Sequence, residues 1–170
     1  MRFTRSCLIA FLLTTLAGFG LHYLYDWFPG VLSASVGVVR ESLWEHTKLL
    51  FWPYLICSLV LARYFGYPLR PRLLTLLVLC AVLLSVSYWY HILLGGESVA
   101  VDITLYLFLM VCAFLLPGFL PGDYKSKGWR LLMPLTVLLA LLLILFTFLP
   151  PDHILFQDLS GANTWSQIPC

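Results

Sequence analysis

Charge is what this sequence has least of: its 170 residues include only 10 Lys and Arg and 8 Asp and Glu, 11% in all, against 61% hydrophobic residues. With a mean hydropathy of +0.93, the chain carries more apolar surface than a water-soluble domain of this size buries, which excludes that class and reads as a membrane protein. The net charge is only +2, and the basic residues form small groups between apolar runs with no interleaved aromatics. That excludes nucleic acid as a partner and leaves the lipid bilayer. Cysteine pairs are missing too. Cys57, Cys80 and Cys112 each stand alone in an apolar run, with no CxxC or zinc-ligand spacing, and read as small packing residues. Without an HExxH string, a serine nucleophile elbow or a phosphate-binding glycine-rich loop, no motif-defined enzyme class is supported and no cofactor is named. There is no internal repeat and no soluble domain.

What is present is a series of apolar runs. Transmembrane spans are expected at about 6–26, 44–64, 73–94, 102–120 and 131–149, followed by a tail over 150–170: an all-α, polytopic membrane helix bundle of about five helices in a single domain. Ser6 to Tyr25 is uncharged and about 30 Å long as a helix. It is longer than a usual signal core and has no clean A-x-A site, so a retained span is expected rather than a cleaved signal. Trp27 to Gly30, Pro68 with Pro71, Gly95-Gly96, Pro117 with Pro121, and Pro150-Pro151 punctuate the runs.

Orientation follows from the loops. With the N-terminus in the cytoplasm, Arg2, Arg5, Arg63, Arg70, Arg72, Lys125, Lys127 and Arg130 fall inside, leaving Arg40 and Lys48 outside. This predicts a multi-pass protein of the plasma (inner) membrane with a non-cytoplasmic C-terminal tail. The same assignment gathers His22, His46, His91, His153 and every acid except Asp123 at the outer helix ends. The positive-inside rule uses only Lys and Arg, so this second segregation is independent of it.

The densest polar stretch is RESLWEHTKLLFWP, Arg40 to Pro53. A helix is expected through it to about Tyr64. Glu41, Glu45, Lys48 and Trp52 then share one stripe and Ser42, His46 and Pro53 another, so that Lys48 pairs with Glu45 and Glu41 needs a different partner. Residues 49–62 give only about 21 Å of uncharged helix, so part of the motif dips into the membrane or its end charges snorkel. Pro53 is expected to kink the helix. One reading is that these charges satisfy one another and pin the helix end, since an ionised group costs about 2.5–3.5 kcal/mol at the bilayer centre. The other makes Glu41, Glu45, His46 and Lys48, with His22, Asp26 and Asp102, a polar binding pocket open to the outside, with Glu45 and His46 as the catalytic candidates. Glu41 and His46 lie on different stripes, so any metal ligands would have to converge from several helices.

Neighbouring residues admit two readings as well. Asp26 stands one turn from His22 and either orients its ring or faces water. His91, beside Tyr88, Trp89 and Tyr90, reads as part of an aromatic belt, and Asp102 as a first-turn acid complementing its helix dipole.

The run ESLWEHTKLLFWP at 41–53, preceded by LHYLYDW at 21–27 and followed by FTFLPPDHILFQD at 146–158, resembles a family of uncharacterised small bacterial and archaeal integral membrane proteins. The resemblance covers most of the chain and implies that Glu41, Trp44, Glu45, His46, Lys48 and Pro53 match a shared motif. Arg40 stands where that family is expected to have Asn, and a His at position 91 is not expected from it. It implies a membrane protein without an assigned activity. The expected role is a component that binds or passes a small polar or lipid-headgroup ligand or docks a partner. The alternative is a membrane-embedded hydrolase or transferase, metal-dependent or not, acting on lipid or envelope substrates. With about five helices, a homo-oligomer or a partner membrane protein is in keeping with either role.

Overall fold

A computed structural model describes residues 5–120 and 130–160. The basic loop with Asp123, Lys125 and Lys127, as well as Arg2 and the tail beyond Ser160, lies outside the described residues. Among those described there are six α-helices and no strand: α1 (Arg5–Trp27), α2 (Val31–Val36), α3 (Leu43–Phe65), α4 (Leu69–Ser87), α5 (Val99–Leu115) and α6 (Leu132–Phe148). A π-helical segment, Tyr88–Leu93, continues α4; one 3-10 turn, Leu116–Gly118, ends α5 and another, Ile154–Phe156, follows α6.

Four of these stretches are long and apolar enough to cross a membrane: α1 with 23 residues, α3 with 23, α4 and its π segment with 25, and α5 and its 3-10 turn with 20. At 17 residues, α6 reaches about 25 Å, the lower limit for a span. The outer surface is apolar, with Leu8, Leu12, Leu16, Phe108 and Leu141 exposed, while buried positions hold Glu45, Lys48, Thr147 and Arg72. Lipid tails are as apolar as leucine, so helices associate here through close packing and interhelical hydrogen bonds.

The central element is α3, whose Leu50, Phe51 and Tyr54 are fully buried against Leu76 and Leu79 of α4, Met110 and Phe114 of α5 and Leu143 of α6. Tyr54 donates its hydroxyl to the Ala113 carbonyl at 2.6 Å, and Tyr106 donates to that of Thr15 at 3.0 Å. Gly18 makes the second bond sterically feasible. A Cβ there would collide with the Tyr106 hydroxyl and sit 2.7 Å from the Leu49 carbonyl oxygen, closer than side-chain carbons pack. Pro53 lies inside α3 and is buried.

The start of α3 differs from the sequence reading. The helix begins at Leu43 with Ser42 as its N-cap, whose Oγ accepts the Glu45 amide at 3.2 Å. Arg40 and Glu41 therefore precede the helix, and Glu41 does not share a helical stripe with Glu45. Serine caps a helix because its short side chain reaches an otherwise orphaned amide, and the Ser-x-x-Glu spacing is the sequence form of such a start.

At the opposite end of the bundle Arg72 is fully buried. Its guanidinium lies over the Tyr67 ring, 5.0 Å from the centroid, with the Tyr54 side chain within electrostatic reach and no carboxylate partner among the described residues.

Candidate functional site

The C-terminal end of α1, the loop between α2 and α3, the first turn of α3, the π segment of α4, the start of α5 and the segment after α6 converge at one end of the bundle. They enclose a cavity of about 620 Å³. Its polar side chains include His22, Glu41, His46, His91, Glu97 and Asp102, and Phe19, Leu49, Leu83, Ile103 and Leu105 supply apolar walls.

Glu41, displaced from the helix by the Ser42 cap, faces two imidazoles. His46 Nε2 lies 3.2 Å from Glu41 Oε2 and His22 Nε2 lies 3.8 Å from the same oxygen. The other nitrogen of His46, Nδ1, is 2.9 Å from the Ser42 carbonyl, and the two rings meet edge-on with centroids 5.4 Å apart. The hydrogen bond from His46 holds the Glu41 carboxyl below its ordinary range against the opposing effect of partial burial, and the nearby charge of His46 and His22 adds to the shift.

A second pair stands across the cavity. His91 Nε2 is 2.8 Å from Asp102 Oδ1 and its Nδ1 is 2.8 Å from the Gly96 carbonyl. Both ring nitrogens are therefore engaged, and the ring is held between the Gly96 carbonyl and Asp102. The aromatic-belt reading of His91 therefore gives way to a pair that faces the cavity. The wider π turn rotates His91 relative to an α-helical register, and such turns recur at functional sites. Gly95, with a φ of 62°, reverses the chain after it.

Glu45 and Lys48 are not brought to the cavity. Lys48 is 0% exposed and Glu45 4%. Lys48 Nζ donates to Glu45 Oε2 at 2.8 Å and to the carbonyls of Ala34 and Gly37 at 2.9 and 3.1 Å, which uses all three of its donors. Glu45 also accepts the Val39 amide at 3.2 Å and the Thr147 hydroxyl at 2.9 Å. The ammonium thus caps the C-terminal carbonyls of the short α2, and the carboxylate ties α3 to α6. Asp26 is exposed and outside the cavity lining.

The segment after α6 closes over one side. Leu159 donates its amide to the Glu41 carbonyl at 3.0 Å, Leu159 and Ser160 line the cavity, and Trp44, Phe146 and Phe156 meet in tilted and edge-on contacts with centroids 5.2 to 5.6 Å apart. Asp158 is held below its ordinary range by the hydrogen bonds of Ser160. Arg40 reaches the Thr147 carbonyl at 3.1 Å. Thr147 and Glu97 had not been singled out from the sequence. A lone threonine near a helix end carries no signal, whereas Glu97 sits in the Gly-Gly-Glu turn that the sequence marks.

A model of a family described as a family of unknown function (DUF6512) matches residues 3–163. No curated protein and no solved structure matches the chain.

Proposed function

The chain belongs to DUF6512, a family of unknown function, and from that premise we propose that it is a membrane component that binds an amphipathic molecule of the lipid class. The headgroup sits among Glu41, His22, His46, His91 and Asp102, and the apolar part lies along Phe19, Leu83, Ile103 and Leu105. The observation that carries this reading is a single cavity of about 620 Å³ with ionisable groups and apolar walls together. That volume suits a small ligand and its composition suits one with two chemical ends.

In this reading Glu45 and Lys48 act as support, holding the loop that carries Glu41, and Asp26 takes no part. The segregation of charge favours a cavity on the non-cytoplasmic side of the plasma membrane, an N-terminus in the cytoplasm, and α6 as a fifth span with the tail outside. Arg5, Arg63, Arg70, Arg72 and Arg130 belong to helix ends opposite the cavity, which supports the same orientation.

The test is to purify the chain from membranes in mild detergent, extract it with solvent and compare the recovered lipids with those of the source membrane by mass spectrometry. Enrichment of one lipid class that disappears in Leu83→Trp, which fills the apolar part of the cavity, is the expected result. A profile matching the bulk membrane in both proteins would overturn the reading.

A further inference from the structure

The ring of His46 carries an electrostatic problem. Its Nδ1 lies 2.9 Å from the Ser42 carbonyl oxygen, and a carbonyl only accepts, so Nδ1 bears the proton. In the neutral ring the lone pair is then on Nε2, which faces Glu41 Oε2 at 3.2 Å. His22 Nε2 approaches that oxygen at 3.8 Å. A lone pair and a carboxylate oxygen stay this close only with a proton, carried by the ring or by the carboxyl, or a metal ion between them.

We propose that His22, Glu41 and His46 form a three-ligand site for a divalent transition-metal ion of the zinc class, with its open position turned into the cavity. The separations fit. Donor atoms around a tetrahedral ion with bonds of about 2.0–2.1 Å lie about 3.3–3.4 Å apart. The two measured distances bracket that value, and one ligand atom from each residue falls within 4.8 Å of the others. The exposed side of His22, which is 30% accessible, leaves room for its ring to close the longest gap. The support is also in place: a metal-bound histidine commonly donates its second N–H to a carbonyl, as His46 does to Ser42.

Two imidazoles and a carboxylate select an ion of this kind over magnesium or calcium, which prefer all-oxygen shells. His91 is excluded as a ligand because the Gly96 carbonyl and Asp102 engage both of its nitrogens. All three ligands line the cavity, so the remaining position of the ion meets whatever oxygen enters, and there it supplies Lewis acidity. The site stands on these donor atoms alone and does not depend on which molecule the cavity holds.

The experiment uses the full chain in detergent, freed of any affinity tag and stripped by a chelator. It is titrated with Zn²⁺ against a chromophoric competitor and with Co²⁺ for the visible absorption of a tetrahedral site. One ion per chain is expected, unaffected by Mg²⁺, with His46→Gln and Glu41→Gln each weakening affinity by at least the roughly 10–100-fold that loss of an outer-shell partner costs, and His153→Gln, at a histidine outside the cavity lining, leaving it unchanged. Substoichiometric Zn²⁺ in the unsubstituted chain overturns the proposal, and so does stoichiometric binding that survives both substitutions. The unsubstituted titration needs no variant, so a misfolded mutant cannot rescue the idea. Lipid retention, measured on the same preparations, reports separately on the ligand reading.

Discussion

Thr147, near the end of α6, donates its hydroxyl to Glu45 Oε1 at 2.9 Å, while Glu45 Oε2 receives Lys48 at 2.8 Å. One buried carboxylate thereby joins α6 to α3, and through Lys48 to α2.

Removing one partner of that pair leaves the other charged in a dry interior. Glu45→Ala should destabilise the fold by about 3–5 kcal/mol, read as a lower midpoint in thermal unfolding in detergent. The double substitution Glu45→Leu with Lys48→Met should recover much of the loss. If the double variant is less stable than either single one, the pair is not acting as a unit.

Acid should weaken the fold through Glu41. A carboxyl whose folded-state pKa is depressed contributes stability that is present above its ordinary value and lost as pH falls through the folded value. The groups facing it are His22 on α1, His46 on α3 and Asp158 after α6. The unfolding midpoint should therefore fall below about pH 4.5, and Glu41→Gln should reduce that slope. Identical pH profiles for the two proteins would refute this role.

Arg72 presents the opposite case to Lys48. Its guanidinium has the Tyr67 ring beside it and the Tyr54 side chain within electrostatic reach, but no carboxylate partner among the described residues. A ring contact contributes about 0.5–2 kcal/mol, less than the cost of burying a cation without a counter-ion. Arg72→Met should raise the unfolding midpoint. A lower midpoint would mean that the arginine is better satisfied than its contacts indicate.

Gly18 has no room for a methyl group. Gly18→Ala should cost about 1–3 kcal/mol by forcing α1 away from Tyr106 and Leu49. Tyr106→Phe in the same background should return only part of that loss, because the Leu49 carbonyl remains in the way.

The helical architecture is legible because long apolar runs separated by proline and glycine leave little choice. The pairing of Lys48 with Glu45 is equally legible from their helical spacing, as is the need of Glu41 for other partners. The register at Glu41 was lost because Ser42 ends the helix where charge patterning alone suggested that it continues. The aromatic neighbours of His91 point to a belt because a π turn has no compositional mark, and only the turned backbone aims its ring at Asp102. The convergence of His22 with His46 depends on how α1 crosses α3, a tertiary fact set by Gly18.

Leu159 grips the backbone of the same residue whose carboxylate meets the two imidazoles. Glu41 is thus a mechanical joint: whatever pries the segment after α6 off its seat also pulls on the acid, so the seating of that segment and the spacing of the imidazole pair are geared together.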